Sequence, residues 1–193
     1  MRSVQLGLGD ALVMADVQND FVTGSLAVPG SAEVVPLLNH YAAAFAARSL
    51  PVFATRDWHP PDHCSFRESG GPWPVHCVAG TEGAAFVAGL ILPAGTIVVS
   101  KATAVDREAY SAFAGTDLDA SLRSRGTRRL FVGGLATDYC VLHTVCDARA
   151  LGYRVFVLLD AIRAVDVAPD DGTKAIAAMQ RAGAETIEIG AID

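Results

Sequence analysis

Short runs rich in Val, Ile, Leu and Phe recur along the chain, over residues 11–15, 51–55, 96–100, 130–133, 154–159 and 185–189. Each has the length of a strand, and none alternates with polar residues as a strand with one wet face does. A strand covered on both faces reads this way, because both of its alternating sides are buried. Helical patterns separate most of the runs, so the chain predicts the α/β class: a three-layer α/β/α, Rossmann-like arrangement in which a mainly parallel sheet of roughly six strands carries helices on both faces. Three helices have recognisable ends. Ser31 is placed to cap one whose Val34, Leu38, Tyr41 and Phe45 share a stripe, and Asp170 or Asp171 to cap one carrying Ala175, Ile176 and Met179 and stopping at Gly183. A third spans about residues 138–151, with Val141, Val145 and Ala148 on one face and Gly152 as its stop. At 193 residues and 51% apolar the chain can bury one good core, so residues 1–193 are expected to form a single domain.

The formal net charge is -6, and no basic run exceeds the Arg128-Arg129 pair. That leaves no electrostatic footprint for a nucleic-acid backbone or an anionic membrane and points to small-molecule chemistry, with room for a homo-oligomer. The N-terminal stretch lacks an apolar core of signal-peptide length, and no apolar run approaches a membrane span, so a cytoplasmic protein is expected. Cys64, Cys77, Cys140 and Cys146 read in that setting as free thiols, metal ligands or a nucleophile rather than as a disulfide framework. Gly7-Leu8-Gly9 precedes its strand and Gly133-Gly134 lacks a third glycine, so neither supports a dinucleotide fingerprint. His40 and His143 fall within helices and read as ordinary.

Open parallel sheets bind ligands beyond the carboxyl ends of their strands. The residues there are Asp16, Asp57, Lys101, the turn over 135–140, and Asp160. Cys140 lies in the first turn of the helix after a strand, where unpaired N–H groups and the helix dipole favour negative charge. The expectation is a thiol pKa lowered from about 8.5 toward neutrality, with the same N–H groups able to hold an oxyanion. No His stands at a strand end to carry the proton. Asp16 and Lys101 are the available substitutes: the carboxylate can take the thiol proton and return it to a leaving amine while the ammonium balances charge, which makes a Cys-Asp-Lys triad.

A proline- and glycine-rich stretch over residues 56–83 has no sustained period and reads as a long functional loop. It gathers Asp57, His59, His63 and His76, a donor set suited to Zn²⁺, Fe²⁺ or Mn²⁺ rather than Ca²⁺. Two other readings stay open for it: a structural site from His63-Cys64 and His76-Cys77, and a loop of histidines with no metal.

The motifs DVQNDF (16–21) with GSLAVPG (24–30), TRDWHP (55–60), WPVHCVAGTEGA (73–84), Lys101, GGLATDYCV (133–141) and DAIRAV (160–165) span almost the whole chain. In that order they resemble the nicotinamidase/pyrazinamidase branch of the isochorismatase-like cysteine hydrolases. The resemblance implies an isochorismatase-like fold and a triad of Asp16, Lys101 and Cys140. It also implies a non-proline cis peptide between Leu135 and Ala136 that aims the Ala136 and Cys140 N–H groups at the oxyanion. Asp57, His59 and His76 match shared metal ligands, and His63 matches a ligand that only some members use. One divalent ion is implied, Zn²⁺ first, then Fe²⁺ or Mn²⁺. Phe21, Trp73 and Tyr110 match aromatic positions around the ring pocket, and Tyr139 a position at its edge. The implied reaction cleaves nicotinamide or pyrazinamide through a cysteine thioester, the metal holding the ring nitrogen. Rival readings are a metal-free amidohydrolase of the same superfamily acting on a carbamoyl or ureido compound, a vinyl-ether hydrolase that would leave Cys140 idle, and a catalytically silent metal- or partner-binding module.

Overall fold

The computed structural model describes residues 3–192. Strands β1 (Asp10–Ala15), β2 (Val52–Asp57), β3 (Ile97–Lys101), β4 (Arg129–Leu135), β5 (Arg154–Arg163) and β6 (Glu185–Ile187) form one sheet in the order β3-β2-β1-β4-β5-β6. Every pairing is parallel. All six residues of β1 are buried, as its unbroken apolar character requires of a central strand covered twice. Its side chains divide by period two: Leu12 and Met14 join the core beneath α2 (Val34–Ala47), while Ala11, Val13 and Ala15 join the core on the other face. That second core takes Leu118 and Leu122 of α3 (Leu118–Ser124), Val145 and Ala148 of α4 (Leu142–Ala150), and Met179 of α5 (Asp171–Arg181). A short helix α1 (Asn19–Val22) follows β1. Each fully buried Leu or Phe contributes about 1.5–3 kcal/mol, so the two faces together hold the layers in place. Among the described residues no helix is long and apolar enough to cross a membrane.

Three local expectations are corrected. Ser31 opens a single 3₁₀ turn (Ser31–Glu33) and its side chain makes no capping bond; α2 starts only at Val34. The side chain of Asp170 makes no cap bond either, and Asp171 instead accepts from the Ala168 N–H at 2.9 Å. Asp160 does not end its strand. The pairing of β4 with β5 slips between Val132 and Gly134, and β5 resumes at Ile162 and runs on to Arg163. Asp160 sits in that bulge, where its carboxylate accepts from the Tyr41 hydroxyl and the Ile189 N–H, both at 2.9 Å. It fastens α2 to the C-terminal segment and stands apart from the reactive groups.

The strand order reverses between β1 and β4, and the crevice beyond their carboxyl ends is where a ligand fits an open α/β sheet. Gly134 holds the two strands together there: its φ is 122°, and a Cβ on it would lie 2.1 Å from the Ala15 carbonyl oxygen. Gly134→Ala is therefore expected to cost about 2–4 kcal/mol of stability, read from the urea midpoint. An unchanged midpoint would show that the two strands part at little cost.

Candidate active site at the switch between β1 and β4

Asp16 directly follows β1 in the left-handed region, φ 49°, which turns its carboxylate back over the strand ends. Asp57 ends β2, Lys101 ends β3, and Cys140 lies in a wide turn, Thr137–Val141, in which the Val141 N–H reaches the Ala136 carbonyl five residues back at 3.1 Å. The peptide between Leu135 and Ala136 is cis, as the resemblance implied.

Lys101 is the hub. It is 1% exposed, and its Nζ lies 3.0 Å from Asp16 Oδ2, 2.5 Å from Asp57 Oδ1, 3.1 Å from the Ala109 carbonyl and 3.4 Å from Cys140 Sγ. Its three protons go to Asp57, the Ala109 carbonyl and Cys140 Sγ, with Asp16 Oδ2 at ion-pair distance, so no donor is left to spare. Burial by itself would pull the Lys101 pKa down, but Asp16 and Asp57 hold it well above its ordinary value, so the side chain stays charged. Burial raises the Asp16 pKa against the pull of Lys101. One Asp16 oxygen accepts from the Thr55 hydroxyl at 2.6 Å; the other has no well-aligned donor and so retains a lone pair.

The lowered Cys140 pKa read from helix position is overturned. Burial raises it well above the ordinary thiol value; Lys101 opposes that, and Asp16 and Asp57 add to it. A helix-terminal dipole favours a thiolate only where the surroundings solvate or balance it. Here two carboxylates stand against one ammonium, so the resting group is a thiol beside a base that can receive its proton.

Asp57, His59 and His76 lie on one side of this cluster, each with a donor atom within 4.8 Å of the others. His59 is 1% exposed, neither ring nitrogen makes a well-formed hydrogen bond among the described residues, and its pKa is held down to about 3 by burial and by His76, His63 and Lys101, against a weak opposing pull from the Ala102 backbone. It is a neutral imidazole with an unused lone pair. His76 Nδ1 faces the Pro74 carbonyl at 2.8 Å and must donate to it, which leaves Nε2 as the bare nitrogen. His63 differs. Its Nε2 faces the Arg107 carbonyl at 3.0 Å and donates, while Nδ1 is 2.7 Å from the Ser65 hydroxyl and also accepts from the Ser65 N–H at 3.2 Å. Both nitrogens are engaged, so the structure leaves His63 packed at a tilt against His59, 4.2 Å between ring centroids, without a free ligand atom.

These groups open into a narrow pocket lined by Phe21, Trp73, Tyr110, Tyr139, Ala136 and Cys140 together with Asp57, His59 and His76. The four aromatic residues expected around the ring pocket therefore all reach it. Trp73 Nε1–H donates to the Tyr110 hydroxyl at 3.0 Å, and Tyr139 packs edge-on against Trp73. A groove at the other end of the strands, by the amino ends of β1, β2 and β3 and lined by residues such as Leu8, Pro93 and Arg125, holds no comparable cluster of reactive groups.

Two contributors went unnoticed in the sequence. Gln18 is fully buried; its Oε1 accepts from the Asp57 N–H and its Nε2 donates to the Asp57 carbonyl, both at 2.8 Å, and to the Ala84 carbonyl at 2.9 Å. It locks Asp57, and its place in DVQNDF, two residues past Asp16, was the available signal. Glu108 lines the pocket from the loop after β3, and no local pattern marks it.

A parallel sheet presenting a buried thiol, a carboxylate and an ammonium at its switch point, beside three vacant donor atoms, is the framework of a cysteine hydrolase. The chain belongs to the isochorismatase family: residues 10–190 match the isochorismatase domain. It is 38% identical to the nicotinamidase of Escherichia coli over 196 residues, covering 90% of this chain and 92% of the relative. The pyrazinamidase of Pyrococcus horikoshii, solved in complex with zinc, superposes with a TM-score of 0.90 at 43% identity, over 94% of this chain and 99% of that one. The PnC1 protein of L. infantum, solved in complex with nicotinate, gives 0.92 at 36% identity, over 99% and 98%.

Proposed function

We propose that this protein is a nicotinamidase/pyrazinamidase, hydrolysing nicotinamide to nicotinate and ammonia at Cys140. The observation that carries the reading is that Asp57 belongs to two groups at once, lying within 4.8 Å of Asp16 and Cys140 on one side and of His59 and His76 on the other. A ring nitrogen held at one group and a carboxamide presented to the other would share one small aromatic pocket. The named activities of the relatives agree with it.

The donor set fits a divalent cation, because buried His59 carries a ring lone pair that no hydrogen bond satisfies among the described residues. Asp57, His59 and His76 would hold the ion, and His63 would support His59 from behind. Bound there, the cation supplies a Lewis-acid contact that orients a pyridine or pyrazine nitrogen.

The chain's own residues carry the chemistry. Asp16 takes the Cys140 proton as the sulfur bonds to the amide carbon, and the carbonyl oxygen, now an oxyanion, receives the Ala136 and Cys140 N–H groups. The carbon–nitrogen bond then breaks, its electron pair leaving with the nitrogen, which takes the proton from Asp16 and departs as ammonia. Water, deprotonated by Asp16, adds to the thioester; the carbon–sulfur bond breaks, that proton passes to sulfur, and the acid product leaves as a carboxylate, its remaining proton going to solvent. The raised pKa of Asp16 suits a group that must accept and release a proton in each half-reaction. Lys101 holds Asp16 and Asp57 in place and balances the charge. The four free cysteines suit the reducing cytoplasm.

The test is ammonia release from nicotinamide, pyrazinamide and a ureido compound, with metal content determined on the same sample. Chelation is expected to lower turnover of the two ring amides at least about tenfold, and Zn²⁺, Mn²⁺ or Fe²⁺ to restore it. Preference for the ureido compound, undiminished by chelation, would overturn the reading.

A further inference from the structure

The substrate of this reaction is neutral and its product is an anion, so the charge lining the pocket bears on the two differently. Asp16 and Asp57 are both committed to Lys101, whose protons are all taken. The side chains of that cluster offer no spare cation to an incoming carboxylate, and a divalent cation held by Asp57, His59 and His76 would meet the amide and the acid alike through the ring nitrogen. Glu108 is the remaining acidic group on the pocket wall. Among the described residues it takes part in none of the ion pairs, and its Oε1 accepts from the N–H of its own neighbour, Ala109, at 2.9 Å. Its charge is felt across the pocket, where it helps push up the Tyr110 phenol after burial and against the Trp73 hydrogen bond.

The geometry points to Glu108 as a charge-selecting residue: an uncompensated carboxylate in the pocket wall that tolerates the neutral amide and disfavours the carboxylate product, hastening its release and limiting product inhibition. The inference rests on the nicotinamidase reading. A like charge in a small, partly solvated pocket weakens binding of a monoanion by about five- to tenfold and leaves a neutral ring nearly untouched. A purely structural Glu108 would act differently. Through Ala109, whose carbonyl bonds Lys101, it would alter both ligands alike.

The experiment is calorimetric binding to Zn²⁺-loaded Cys140→Ala protein, which does not consume the amide, with and without Glu108→Gln. The glutamine keeps an acceptor for the Ala109 N–H and removes only the charge. Nicotinate is expected to bind about five- to tenfold more tightly to the double variant, with the nicotinamide Kd moving less than about twofold. Glu108→Asp, which keeps the charge, is expected to retain the wild-type ratio of the two constants. An unchanged ratio in the glutamine variant, or equal shifts for both ligands, would overturn the inference. Ammonia release by the protein with Cys140 intact is assayed alongside: its absence would remove the activity reading, whereas an unchanged Kd ratio with ammonia release intact removes only the role of Glu108.

Discussion

Cys140→Ala is expected to lower ammonia release from nicotinamide by at least about a thousandfold, to the background of the assay, while divalent metal still binds. The thiol is the only group in the pocket that pairs a nucleophilic atom with an adjacent base, and Sγ is not among the atoms that Asp57, His59 and His76 would bring to a cation. Cys140→Ser is expected to fare little better. A hydroxyl is a much weaker acid than a thiol, and the site already raises the nucleophile's pKa through burial and its two carboxylates. Steady-state ammonia release with metal analysis of each variant checks both. Full activity in the alanine variant would end the thioester mechanism, and loss of metal together with activity would show that the thiol supports the cation site instead.

The features read correctly from sequence are those whose signal is local. Apolar runs marked the strands, but the expected burial on both faces holds for the central ones: β3 and β6 stand at the sheet edges and are partly exposed, and the run at β6 is interrupted by Glu185 and Glu188. The stripe of Val34, Leu38, Tyr41 and Phe45 marked α2 because all four point into one core. Helix α3 escaped notice because its seven residues bury only Leu118 and Leu122, too few to set a period. Asp160 was misplaced because a bulge in β5 depends on its partner strand, which the run itself does not reveal. In the site, the reactive residue types were visible at strand ends, but their states were not. The acidity of Cys140 is set first by burial, then by Lys101 pulling against it and by Asp16 and Asp57, all brought in from other strand ends. The availability of His63 is decided by a carbonyl 44 residues away. Both depend on contacts distant in sequence, and no helix-position argument could weigh them.

The same long-range balance makes Lys101 the side chain on which stability and turnover both depend. Lys101→Met keeps the volume of the stem but leaves Asp16 and Asp57 buried without their counter-charge, at a cost of about 3–5 kcal/mol. Turnover is expected to fall by at least about a hundredfold, because the carboxylate that must collect the thiol proton loses its orientation and its balancing charge. The loss of stability carries a sign that a packing defect would lack. The folded-state pKa of Asp16 is already above its unfolded value, and removing the ammonium that opposes this raises it further. The folded variant therefore binds a proton that the unfolded chain releases. Its stability falls as pH rises from the ordinary carboxylate range through the raised value and recovers in acid. Urea unfolding of metal-free wild-type and Lys101→Met protein at pH about 5.5 and 7.5 reads this as a smaller difference at the lower pH. A difference independent of pH would place the cost in lost packing and remove Lys101 as the charge hub of the site.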